Sequence, residues 1–469
     1  MTNTATLTPQ AARPGQPAQS ELRANIFRMI WPVTVDSVLQ MTVSFLNTAM
    51  VGRLGAATIL AVGTSGRIGM IAWALFSAIG TGATVLVARA VGADDPARVR
   101  RVIQQTLLAT LMLITVVVTL AYLFAPQMLG LFNVAPDVLS VGTAYLRVLV
   151  WSMPFQALYL VISAALRGSG NTFTPMVIGI VINAVNATLN WVLIFGNLGA
   201  PALGYRGSAI ATIIAQLVGA TLVVTFLFSS RARLQLNIRD RIVADAGLMW
   251  KILSIGLPST AESFFWQAGT IILMRLINGF GTVAGAAHQL GIQAEGLSYM
   301  PAAGFGIAAM AFVGQSLGAR NVPLAERYVK EINKWVILLT VFTASLLLFL
   351  PKTVMRILTT DRAVIDLGAR YLVLMALAQL PQQVSGVLNG TLRGAGDTRT
   401  PMLIAGGGIW LIRLPLAWLL ASHVSLFGLT LGFDMGIFGV WWGMTIDLFI
   451  RFGLSFWRYS TGKWKTIEL

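Results

Sequence analysis

Long uncharged apolar runs recur along the chain. Examples are Ile68–Ala88, Leu107–Phe124, Thr172–Phe195, Ser208–Ser230, Gly296–Leu317, Trp335–Pro351 and Tyr371–Leu392. Several reach the ~18 residues that read as a membrane-crossing helix. None alternates apolar with polar positions as the strands of a membrane barrel must. The stretches 27–52, 138–165, 250–279, 399–422 and 435–458 have the same character, each with one or more charges. The pattern predicts twelve membrane helices with short polar connections, the longest near 230–250 and 350–366.

Composition sharpens this reading. Of 469 residues, 56% are hydrophobic and 11% charged, against roughly 25% charged in soluble domains. Too few charges remain to cover a water-facing surface, and the hydrophobicity is too high for disorder. The net charge of +16 is then loop charge facing a cytoplasm, and no nucleic-acid partner is expected. With the N-terminus inside, 22 Lys and Arg fall in inside segments and 7 in outside ones, which predicts a multi-pass membrane protein with both termini cytoplasmic. Residues 1–25 lack the apolar core of a secretory signal and are expected to form a disordered cytoplasmic tail. The chain has no Cys and two His. Thiolate chemistry is thereby excluded, and a His-rich metal centre is not expected.

The chain also repeats itself. Leu166–Met176 (LRGSGNTFTPM) and Leu392–Met402 (LRGAGDTRTPM) agree at eight of eleven positions, 226 residues apart. The same offset maps Pro32 onto Pro258, Gly80 onto Gly306, Gly92 onto Gly318, Tyr145 onto Tyr371 and Gln156 onto Gln382. Each half therefore holds six helices. An even number returns the chain to its starting side, so the halves are parallel repeats about an axis along the membrane normal. The expected division is an N-lobe at 26–230, a cytoplasmic linker at 231–249, a C-lobe at 250–460 and a short tail at 461–469.

These residues resemble the multidrug and toxic compound extrusion (MATE) family. The resemblance rests on Pro32 with FLNTAMVGRLG (Phe45–Gly55), the Gly80–Gly92 helix ending, the twin LRGxGxTxTPM blocks, NATLNWVLIFG (Asn186–Gly196) and LGYRGSAIAT (Leu203–Thr212). It covers about 26–460. It implies an all-α membrane fold of two six-helix bundles around an outward V-shaped cleft. It further implies export of amphiphilic, often cationic, small molecules in exchange for H+ or Na+, with no other cofactor, by a monomer in the lipid bilayer. Three positions depart from acids common in the family: Asn47 in the first-helix motif, Asn190 in the fifth, and Gln382 on the tenth helix. The coupling ion is thus left as either H+ or Na+.

Charges inside the spans need a reason, since an ionised group at mid-bilayer costs ~3 kcal/mol or more. Asp36 and Glu262 are 226 apart, in equivalent positions of the first and seventh helices. Such carboxylates can hold a proton or Na+ in one state and a cationic substrate in the other; alternatively each bonds a neighbouring helix. Glu295 is a third ion-coupling candidate and shares a helical face with His288, which reads as a hydrogen-bonded histidine near the outer surface. Arg67 needs an acidic partner, and Glu295 across the lobe interface is the candidate. Asp447 and Arg451 are four apart and are expected to pair structurally. Arg275 and Arg413 either snorkel or line the cleft. Asn183, Asn186 and Asn190 share one face and, with Asn47, Gln289 and Gln382, are substrate-cavity candidates.

No Walker A motif is present, so a transporter here must draw on an ion gradient. The alternative within the same superfamily is a flippase for lipid-linked oligosaccharides, with more cationic residues in its cavity. A lipid-modifying membrane enzyme would need a metal or nucleophile cluster that the chain does not offer, so no enzymatic activity is expected.

Overall fold

The computed structural model describes residues 17–52, 56–132, 135–229, 243–422, 424–426 and 429–468. Twelve long helices dominate. The first lobe holds α1 (Gln19–Gly52), α2 (Ala56–Gly92), α3 (Pro96–Leu123), α4 (Val138–Gly168), α5 (Phe173–Phe195) and α6 (Tyr205–Phe228). The second holds α7 (Ala246–Asn278), α8 (Thr282–Gly318), α9 (Val322–Phe349), α10 (Arg362–Ala395), α11 (Arg399–Ala421) and α12 (Ile437–Ser460). Ten of the helices satisfy length and hydropathy criteria for crossing a membrane; α1 and α7 do not. Those two carry the repeat-related prolines Pro32 and Pro258, and the acids Asp36 and Glu262. Between α11 and α12 lies a small hairpin, Val424–Leu426 paired with Leu429–Leu431, where the two halves lose register.

Two expected boundaries move. Helix α1 begins at Gln19, inside the stretch expected to be a disordered tail; residues 1–16 of that stretch lie outside the described residues. Its first turns are held because Leu22, Ile26, Met29 and Ile30 form an apolar stripe buried against α8 and α9. The Gln19 amide and Arg23 guanidinium both reach the Glu331 carboxylate, at 2.9 and 2.8 Å. Helix α7 begins at Ala246, within the expected linker, capped by the Asp245 carboxylate on Leu248 N. Residues 230–242 of that linker lie outside the described residues. The C-terminal tail is docked rather than loose, with Trp464 fully buried and stacked on Tyr459.

Packing does not follow the division at 230–250. The start of α1 packs on second-lobe residues such as Phe305, Ile332 and Val387. The start of α7 returns the arrangement, with Ile252 and Ile255 inside the first lobe's core. Each lobe therefore covers the first turns of the other's leading helix. Paired hydrogen bonds mark the same exchange. Thr34 of α1 donates to Pro301 O on α8 at 3.2 Å, and its repeat partner Thr260 of α7 donates to Ala74 O on α2 at 3.0 Å.

The first described residues, with Pro17 O accepting from Arg327, and the tail around Ile467, with its carbonyl accepting from Arg89, lie on one face, here called the terminal face. There the Arg89 guanidinium of α2 donates to Ala395 O at the end of α10 and to Ile467 O in the tail, at 2.9 and 3.0 Å. Gln315 of α8 donates to Gly168 O at the end of α4, at 2.9 Å. Each side chain satisfies a helix-end carbonyl that would otherwise lack a partner. The lobes are joined at this face, between α2 and α8.

Candidate functional site: a cavity between the lobes and three buried polar clusters

A cavity of about 960 Å³ lies between the lobes, walled mainly by α2 and α7. Glu262 stands on its wall and accepts from Arg393 Nη2 at 2.5 Å. Arg393 sits in the last turn of α10, and its side chain lies on the cavity wall. Arg67 also lines the cavity and is exposed there.

The expected pairing of Arg67 with Glu295 does not form. Glu295 is buried on α8, and both its oxygens are taken. Tyr371 of α10 donates its hydroxyl to Oε2 at 2.8 Å, and Gln379 donates to Oε1 at 2.9 Å. His288 lies edge-on to Tyr371 with ring centroids 5.3 Å apart, and Trp441 packs on the same tyrosine at 5.2 Å. His288 is not the hydrogen-bonded interfacial residue expected: it is 2% exposed, and Nδ1 has no partner. Helix α8 thus turns Glu295 into the second lobe rather than toward Arg67.

Asp36 and Glu262 occupy equivalent sequence positions but different surroundings. Asp36 faces α5 inside the first lobe. Its Oδ2 accepts from Gln40 at 3.0 Å, and its Oδ1 is buried without a hydrogen-bond partner. Gly179 of α5 lies directly against Oδ1, where a Cβ would displace the carboxylate. Three turns along the same α1 face, Asn47 joins the asparagines of α5. Asn47 Nδ2 donates to Asn186 Oδ1 at 2.8 Å, Asn190 Nδ2 donates to Asn47 Oδ1 at 2.8 Å, and Asn186 Nδ2 reaches Thr212 at 3.3 Å. The structure thus brings Asp36, Asn47, Asn186 and Asn190 to one α1–α5 seam. Asn183 lies half-buried on α5, Gln289 is exposed on α8, and Gln382 is half-buried with Oε1 unpartnered. None of the six cavity candidates is on the wall of the central cavity.

The Asp447–Arg451 pair forms, with Arg451 Nη2 to Oδ2 at 2.6 Å. Arg413 does not snorkel. It is buried and donates to Asp447 Oδ2 at 2.8 Å, so one fully buried carboxylate holds two arginines. Both guanidiniums lie over the Trp266 ring, with Cζ 5.1 and 5.9 Å from its centre. The backbone of α11 widens into a π-turn at Gly408–Arg413, and Gly408 leaves room for Arg451 and Asp447. Such turns re-aim side chains and gather at functional sites. The triad was detectable in part: Arg413 and Arg451 both interrupt apolar runs.

Two pseudo-symmetric lobes of six helices around a shared cavity define a membrane transporter architecture. The family model MatE matches residues 32–192 and 258–419, one copy per lobe. The chain belongs to the MATE family, which is made up of transporters. It is 30% identical over 449 residues to "Probable multidrug resistance protein NorM" of Thermotoga maritima, covering 95% of this chain and 94% of that one. It is 28% identical over 434 residues to "Multidrug resistance protein NorM" of Vibrio vulnificus, covering 91% and 92%. Among solved structures, a mutant of the Vibrio cholerae MATE transporter VcmN superposes with a TM-score of 0.86 at 20% identity, over 96% of this chain and 99% of that one. An outward-facing multidrug resistance MATE family transporter of the MOP superfamily gives 0.86 at 19% identity, over 95% and 97%.

Proposed function

We propose that this protein is a secondary active multidrug efflux transporter, exchanging amphiphilic small molecules against H+ or Na+ as its two lobes alternately expose the cavity. It acts as a monomer in the bacterial inner membrane with both termini cytoplasmic. The observation that carries the coupling is the Glu262–Arg393 ion pair on the cavity wall, 2.5 Å long and only partly shielded. A proton or Na+ on Glu262 competes directly with Arg393. Loading the ion frees the guanidinium, and unloading restores the pair, so ion occupancy changes the charge that a substrate meets. Asp36 on the first-lobe seam is a second coupling carboxylate, and Glu295 serves as a third ion site or as a structural hub. Inward movement of one positive charge through 100 mV releases ~2.3 kcal/mol, enough to drive about fiftyfold accumulation.

The test is efflux from proteoliposomes under pH and Na+ gradients imposed separately. Glu262→Gln keeps the shape and loses the charge. It should abolish gradient-driven export while the purified protein keeps its melting temperature. Gradient-driven export at the parent rate in Glu262→Gln would remove this carboxylate from the coupling.

A further inference from the structure

We propose that the cavity selects amphiphilic anions: a carboxylate, sulfonate or phosphate head on an aromatic or acyl body. The inference rests on the central cavity being the substrate site, and it inverts the usual charge expected of such substrates.

The charge balance on the wall carries it. Among the described residues, the charged groups lining the cavity are Arg67, Glu262, Arg393 and Arg451. Glu262 and Arg393 cancel each other in their ion pair. Arg451 shares Asp447 with Arg413, so that cluster keeps one positive charge in excess. Arg67 is exposed to the cavity and pairs with no carboxylate among the described residues. Two positive charges therefore remain. The other candidate acids do not offset them, since Asp36 faces α5 and Glu295 is enclosed by Tyr371 and Gln379. The remaining wall is largely apolar and aromatic, including Trp73, Phe264, Trp266 and Ile271. Low-dielectric walls focus the field of the arginines into the cavity. Guanidiniums suit carboxylate, sulfonate and phosphate heads, and the aromatic rings suit an apolar body.

Binding can be read without transport. Fluorescein and rhodamine 123 share a xanthene core and differ in charge. The full chain in phosphatidylcholine nanodiscs should bind fluorescein at least tenfold more tightly than rhodamine 123, by fluorescence polarisation. Arg67→Gln should weaken fluorescein binding about tenfold without weakening rhodamine 123. Arg67→Lys should retain most of the preference. A lipid source is separated from a free one by competition. Displacement of fluorescein by short-chain phosphatidylglycerol, and not by short-chain phosphatidylcholine, identifies a lipid headgroup. Displacement by neither identifies a free anion, and both results support an anion-binding cavity. Tighter binding of rhodamine 123, or an unchanged dye ratio in Arg67→Gln, overturns it. Anion binding without gradient-driven export would sink the proposed function and leave the selectivity standing.

Discussion

Gly92 and Gly318 are related by the repeat, and each lies against the carbonyl of the residue three places before the other: Gly92 against Gln315 O, and Gly318 against Arg89 O. The equivalent helices α2 and α8 thus cross on the pseudo-symmetry axis with no side chain between their backbones. The same carbonyl-bearing residues, Arg89 and Gln315, each reach to the end of the other lobe's fourth helix.

A methyl group at either glycine would have to force the crossing apart. Gly92→Ala or Gly318→Ala should cost the closed terminal face about 1–3 kcal/mol. Because the chain has no cysteine, Val85→Cys, at a fully buried position, is a clean reporter. Its labelling by a hydrophilic maleimide should rise about tenfold in the alanine variants. Equal labelling with and without alanine would mean that the crossing does not hold the face shut.

Asp447 holds two arginines, so removing its charge strands both. Asp447→Asn should lower stability by about 3–5 kcal/mol, seen as a drop in melting temperature in detergent. Adding Arg413→Met should restore part of it, since one stranded cation is then gone. A melting temperature unmoved by Asp447→Asn would contradict the triad.

Glu295 and Tyr371 should be energetically coupled. Tyr371→Phe leaves one buried carboxylate oxygen unsatisfied, costing about 1–3 kcal/mol. In a Glu295→Leu background the same change should cost less, with a coupling of about 0.5–3 kcal/mol in a double-mutant cycle. Simple additivity of the two melting shifts would show that the hydrogen bond carries no weight.

The terminal face should be cytoplasmic, because positive charge concentrates on it. Reporter fusions placed before residue 1 and after residue 469 should both give cytoplasmic signal. A periplasmic reading at either end would refute this orientation.

The fold was legible because hydropathy runs and an 11-residue block repeated at offset 226 encode it locally. Within one helix, contacts were legible too: Asp447 and Arg451 are one turn apart and do pair. Pairing between helices was not legible, since it depends on how each helix is rotated and tilted. Arg67 and Glu295 sit two places apart in the repeat, yet packing turns Glu295 toward Tyr371 and leaves Arg67 in the cavity. Arg393 escaped notice because it lies two residues from a helix end, yet its long side chain reaches inward to Glu262. The start of α1 was hidden by polar residues around an apolar stripe. The spacing of Leu22, Ile26 and Met29 was its one helical signal.

The exchange of leading helices has a consequence for biogenesis. Ribosomes deliver the first lobe long before α8 and α9 exist. Through that interval the apolar start of α1, from Leu22 to Ile30, lacks the surface that will cover it. The first lobe's own core is equally unfinished until Ile252 and Ile255 of α7 arrive. Neither half is a complete folding unit. Expressed as two separate polypeptides, they should be protease-sensitive alone and resistant only when made together, each half acting as the other's missing piece.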